Sequence, residues 1–386
     1  MQHIEAVEDA VQSALMTALE KWKVDGLPDN PSAWLFRVAS NKTINELRAR
    51  SGHLRILEQN AELSAAIQGW SPEQYSSSDV RDDLLRMLFV CCEEAIPADS
   101  RLILALKTLC GFSVREIAHR LFLSETNVYK RIGRARDRLS ELSIRPDELT
   151  EKKYASRLHS VLRILYLMFT EGYLSSHAEL SIRRELCEEA IRLSLVLAEH
   201  PVGETPETAA LLALMHFHLA RMASRQDPSG GLLLLEEQDR TLWDQQAIAV
   251  GLEWLAESAK GDNFSRYHAE ARIAAEHCLA PSFEETKWDR VAEAYAILER
   301  VGPSAVHRLN RAVAVAEWRG AAAGLEILAD FEPPTWLTGS YMWSAVLADL
   351  HRRCGHAQEA QRYRDLAVNS APTHALADLL NRRLRS

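Results

Sequence analysis

The chain lacks the marks of several protein classes. No window approaches eighteen uncharged apolar residues, which argues against a membrane-spanning helix. Its six cysteines (91, 92, 110, 187, 278 and 354) form no CxxC and no paired spacing, so reduced, mostly buried thiols are expected. GxGxxG, P-loop, HExxH and GxSxG motifs are absent, and no strand precedes a glycine-rich turn. An enzyme reading therefore has little support, and no cofactor is implied. His216 and His218 are two residues apart, about 200° around a helix, so one metal ion cannot easily take both. The N-terminus, MQHIEAVEDAVQ, carries acids where a secretory signal needs an apolar core, so a cytoplasmic protein is expected.

What remains is an ordinary globular balance over 386 residues, with 47% hydrophobic and 26% charged side chains. That length allows two or three domains with real cores. The net charge of −9 is unevenly placed: residues 101–138 alone carry +6. DNA affinity depends on the local field, screened over roughly 10 Å, so an acidic whole does not exclude a DNA-binding part.

Apolar residues recur at three and four almost throughout and no alternating pattern lasts, which predicts an all-α fold. Residues 4–22 form an amphipathic helix with Ile4, Val7, Val11, Ala14, Leu15, Ala18, Leu19 and Trp22 on its apolar stripe. After Gly26 and Pro28, Asn30 is a plausible N-cap and Pro31 a first-turn residue for a second helix to about Arg50. Residues 68–81 are rich in Ser, Gly and Pro and read as a linker, and a helical hairpin is expected from 82 to about 140. From 145 onward helices alternate with breaks at 201–206, 228–231, 261–262, 281, 302–303, 333–334 and 372. The expected domains are thus 1–67, 82–144 and 145–386.

The basic stretch FSVREIAHRLFLSETNVYKRIGRARDRL (112–139) carries the sharpest signal. Ser113 and Glu116 form a capping box for a short helix whose apolar face is Val114, Ile117, Ala118 and Leu121. After a turn at Phe122-Leu123, Ser124 caps a second helix with Val128, Ile132, Ala135 and Leu139 inward. Its other face presents Asn127, Lys130, Arg131, Arg134 and Arg138. This is helix-turn-helix logic: the first helix braces and the second offers its N-terminal turn to a major groove. Periodicity alone leaves open a generic basic hairpin.

This stretch resembles region 4 of bacterial sigma-70-type factors, with Ser113, Glu116, Ile117, Ala118, Leu121, Ser124, Val128, Arg131, Ile132, Arg134, Ala135, Arg136 and Leu139 on the pattern. Phe122 departs from it, standing where the turn usually has Gly. EDAVQSALMTALEKW (8–22) and PDNPSAWLFRVASNKTINELRAR (28–50) resemble region 2 of the extracytoplasmic-function (ECF) group. LYLMFTEGY (165–173) and NRAVAVAE (310–317) further resemble the ECF subgroup with a C-terminal tetratricopeptide-like domain. Gly355, Ala360, Ala367 and Pro372 follow that repeat's second half.

The resemblance implies a factor that brings core RNA polymerase to promoters. Asp9, Gln12, Ser13 and Met16 would dock on the coiled coil of the β′ subunit. Arg37, Asn41, Lys42, Asn45 and Arg48 would meet the −10 element. Arg115, Ser124, Glu125, Asn127, Lys130, Arg131 and Arg134 would meet the −35 duplex. Trp34 shares its spacing with Val38 and Ile44, which favours a core role over a stacking platform. The C-terminal helices would regulate activity, with a protein or peptide as their ligand. In the family a further helix precedes the segment matching EDAVQ. Region 2 is therefore expected to be partial, which leaves two alternatives open: a DNA-binding regulator without productive polymerase binding, and a helical-repeat scaffold.

Overall fold

The computed structural model describes residues 2–28, 30–31, 34–35, 37–42, 77–142, 150–175, 182–228, 230–261 and 263–384. Among them there is no strand, only one isolated antiparallel bridge between Gln226 and Leu232. The all-α expectation holds. The chain divides into two compact units, Met1–Leu104 with Lys130–Glu148, and Ala105–Tyr129 with Leu149–Ser386.

In the first unit, α1 (Gln2–Asp25) ends before Gly26, whose φ of 80° suits only glycine among common residues. Its packing face differs from the expected stripe. Ala10, Ala14 and Ala18, at steps of four, are buried, whereas Val11, Leu15 and Leu19 are exposed. The face that α1 buries is thus its row of small side chains, and the larger apolar groups are left outward. Helical residues follow Asn30, whose carbonyl accepts from the Trp34 amide at 3.1 Å, in keeping with the expected start. Trp34 is half-buried with its ring 5.5 Å from that of Trp22, edge to face.

The hairpin expected over 82–140 is four helices instead: α2 (Ser77–Cys91), α3 (Ala98–Thr108), α4 (Val114–Arg120) and α5 (Glu125–Leu142). Pro97 and Gly111 (φ 73°) supply the additional breaks. The start of α2 lies inside the stretch read as a linker, where Ser77, Ser78 and Asp79 are residue types favoured at helix starts.

In the second unit α6 (Glu151–Tyr173), α7 (Arg184–Ala198), α8 (Pro206–Ala220), α9 (Gln245–Ser258), α10 (Arg266–Leu279), α11 (Trp288–Val301), α12 (Ala305–Arg319), α13 (Ala321–Ala329), α14 (Thr335–Thr338), α15 (Tyr341–Arg353), α16 (Ala357–Asn369) and α17 (His374–Arg383) follow in sequence. The expected breaks fall between helices, except that Pro206, at the end of the first, is the opening residue of α8. Neighbours in the chain pack on each other, α8 on α9 and α15 on α16 most extensively. α8 is apolar all round, as a helix enclosed by its neighbours must be: ten of its residues are buried, including Leu211, Leu212 and Phe217. No helix among the described residues is long and apolar enough to cross a membrane.

Candidate nucleic-acid interface

The helix-turn-helix is built as its sequence dictates. The Glu116 amide donates to Ser113 Oγ at 3.2 Å while the Ser113 amide donates to Glu116 Oε2 at 2.6 Å, closing the capping box. The Asn127 amide donates to Ser124 Oγ at 3.3 Å and opens α5. Val128, Ile132 and Ala135 are buried on α5, and Leu139 is half-buried.

Between the two helices Phe122 has φ 54°, the only positive φ at a non-glycine among the described residues. The chain thus turns through the left-handed conformation that the usual Gly would adopt freely, at a cost of roughly 1–2 kcal/mol for an L side chain. The Phe122 ring is 53% exposed and lies 4.5 Å from the ring of Trp336, at 32°. An aromatic pair contributes about 0.5–1.5 kcal/mol. That offsets much of the strain.

The bracing helix is tied down by charge. Glu116 is buried, and its second oxygen, Oε1, accepts from Arg183 at 2.7 Å. Arg120 donates to Glu171 Oε2 through Nε at 3.0 Å and Nη2 at 2.5 Å, and Nη2 also reaches the carbonyls of Thr170 and Leu174. The Glu171 side chain is fully buried and takes a further hydrogen bond from Ser175 Oγ at 3.1 Å. Gly172 makes the close fit possible. A Cβ there would stand 2.7 Å from both the Arg183 carbonyl and Cys187 Sγ. Burial pushes the Cys187 thiol up to about 12, and its Sγ lies 3.3 Å from the Phe169 carbonyl. The Arg120–Glu171 and Arg183–Glu116 pairs were not foreseen. The sequence hint was Glu171 within the apolar run LYLMFTEGY, a carboxylate that needs a cation once buried.

The recognition helix keeps its charges outward. Ser124, Glu125, Lys130 and Arg134 are exposed, as is Arg115 on α4, and Asn127 is half-buried. Arg131 differs: it pairs with Asp99 at 3.0 Å, so its charge is already shared. Tyr129, 63% exposed beside Lys130, was missed; an aromatic on a basic helix face is its only signal.

On α1, Asp9, Gln12 and Met16 are exposed and Ser13 is half-buried. Val11, Leu15 and Leu19, also missed, continue the exposed face and make it apolar. Of the expected −10 residues, Arg37 and Asn41 are exposed and Lys42 is half-buried. Asn45 and Arg48 lie outside the described residues. Among those residues no group of His, Cys, Asp and Glu is placed to hold a metal ion.

A sigma-70 region 2 family model matches residues 2–52, and a sigma-70 region 4 model matches 86–139. Residues 157–259 match a family of unknown function, DUF6596. The uncharacterized protein R00370 of Rhizobium meliloti is 34% identical over 371 residues, 95% of this chain and 86% of that protein. The ECF RNA polymerase sigma factor SigL of Mycobacterium tuberculosis is 31% identical over 126 residues, 32% of this chain and 67% of that factor. No solved structure matches. Sigma-70 factors are non-enzymatic initiation subunits that bind core RNA polymerase and promoter DNA, and with both of their regions in this chain it belongs to the ECF sigma-70-type factors.

Proposed function

We propose that this chain directs core RNA polymerase to promoters whose −35 element is read by the N-terminal turn and basic flank of α5. The observation that carries this reading is a braced helix-turn-helix that leaves Ser124, Glu125, Lys130 and Arg134 exposed on one helix. Short polar groups at the start of α5 suit base edges, and the cations suit phosphates. Asn127 contributes to sequence choice, and Arg115 and Arg131 contribute phosphate contacts. Arg37, Asn41 and Lys42, with Asn45 and Arg48, serve the −10 element, with the base pocket in the loop at 23–31.

The exposed face of α1, with Asp9, Gln12, Ser13 and Met16, receives the β′ coiled coil. Leu15 and Leu19 supply apolar area that a monomer gains nothing by exposing. The helices after residue 145 act as the built-in regulator. The ties that Glu171 and Arg183 make to Arg120 and Glu116 support that role, because whatever moves α6 or α7 is felt by the bracing helix.

The test is run-off transcription with purified core polymerase over a promoter library. The expected result is factor-dependent transcripts that Met16→Asp abolishes without loss of DNA binding and that Arg134→Ala weakens in step with its lost promoter affinity. Promoter binding with no transcript under any condition would replace this reading with that of a DNA-binding regulator.

A further inference from the structure

A cavity of about 510 Å³ in the second unit is lined by Tyr173, His218, Arg221, Arg225, His277 and Tyr295, among others. Its charge is unbalanced. Arg221 is 8% exposed, and the only hydrogen bond its side chain makes among the described residues is a long one, 3.5 Å from Nη2 to Gln238 Oε1; its Nε is buried without a partner there. Arg225 donates to the Tyr173 carbonyl and lies with its guanidinium carbon 3.7 Å from the Tyr173 ring centroid. Neither arginine makes an ion pair with a carboxylate among the described residues. The one carboxylate on the lining, Glu270, is already held by Arg266 at 2.6 Å. Arg240 stands over the same Trp243 ring as Arg221 and also has no ion pair among the described residues; its Nη1 donates to the His277 and Ala280 carbonyls, and its Nη2 is buried and unsatisfied.

Burial is the main force lowering the pKa of Arg225, and Arg221 adds to it. His218 and His277 each bury an unpartnered Nδ1 in the same neighbourhood. Residues 145–386 are acidic overall, and arginines elsewhere in this unit do find carboxylates, as Arg353 does with Glu317 and Asp349. Buried cations without a counter-charge are costly, and native interiors rarely leave several donors unsatisfied at one place.

From this imbalance we infer that the cavity is a binding site for a small organic anion, a carboxylate or phosphate group carried on an apolar or aromatic body. Two guanidinium forks match either group with paired hydrogen bonds. Tyr173, Tyr295 and the His218 ring, 4.6 Å from Tyr173, supply the flat apolar surface for the body. The volume falls within the range of small-molecule sites, roughly 300–1,000 Å³. This inference does not depend on the promoter reading.

The test is thermal unfolding and calorimetric titration of the full chain with benzoate, phenyl phosphate and neutral benzamide. At least one of the two anions should raise the melting temperature in proportion to the logarithm of its concentration, and benzamide should not. Which anion does so separates the carboxylate source from the phosphate source. Arg221→Met should fold and, without ligand, melt no lower than the wild type, because it removes an uncompensated buried charge; the anion-dependent rise should vanish. Arg225→Gln should weaken anion binding at least tenfold. No rise with either anion at about ten millimolar, or a rise that survives in Arg221→Met, would overturn the assignment.

Discussion

Arg120 and Arg134 sit fourteen residues apart in one basic segment, yet they do opposite work. Arg120 turns inward onto a fully buried carboxylate and two carbonyls, whereas Arg134 stands in water with no ion pair among the described residues. The bracing helix spends its charges on structure, and the recognition helix keeps its own available. Net charge over the segment therefore overstates what a DNA backbone can meet.

The division can be broken most forcefully at Glu171. Glu171→Ala leaves Arg120 facing a buried void, a loss of about 3–5 kcal/mol. Denaturant unfolding should register it, while promoter affinity of the still-folded protein falls far less. An equal fall in affinity at unchanged stability would erase the distinction between the two helices. On the other side, Arg134→Ala and Lys130→Ala should each cost about 1–3 kcal/mol of promoter binding and shallow the salt dependence by about one phosphate, with the melting temperature unmoved. Arg131→Ala should cost less than either, since Arg131 gives up its pair with Asp99 to reach DNA. Asp99→Ala should accordingly tighten binding slightly, readable by fluorescence anisotropy.

Gly172→Ala probes the bracing side through the backbone. The added methyl meets the Arg183 carbonyl and the Cys187 amide, which cannot swing aside as a side-chain tip can. A stability loss of about 1–3 kcal/mol is expected in urea. Phe122 tests a near balance. Phe122→Gly relieves strain and loses the Trp336 contact, so stability should stay within about 1 kcal/mol of the parent. Phe122→Ala keeps the strain and loses the ring, so it should be the less stable of the two by chemical denaturation.

The smallest effect concerns His119, next to Arg120. Burial, then the Arg120 charge, holds its pKa below the ordinary 6.5, partly opposed by Glu171. The unfolded chain therefore binds the proton more readily. His119 adds stability above pH 6.5 that is lost as pH falls through the lower, folded value. His119→Gln should flatten that limb of a stability-against-pH curve.

Much of this was legible in the chain because it is local. The capping box, the Ser124 cap, the inward row of Val128, Ile132 and Ala135, and the awkwardness of Phe122 all follow from spacings of a few residues. The partners are another matter. Nothing near Arg120 in sequence announces Glu171, and nothing near Phe122 announces Trp336, more than two hundred residues away. α1 misled for a related reason. Periodicity marks an apolar stripe, but whether the large residues or the alanines face inward depends on how closely a neighbour can approach. The exposed row of Val11, Leu15 and Leu19 reads as core from sequence alone, and as a surface awaiting a protein only once burial is known.

Cys187 gives the fold its own chemical clock. Burial pushes its thiol well above the ordinary range, so very little of it is thiolate at pH 8. Its burial between α6 and α7, against Gly172 and the Phe169 carbonyl, leaves a reagent no direct path to the sulfur. The labelling rate at this native residue therefore reports local exposure of the α6–α7 packing without any engineered probe.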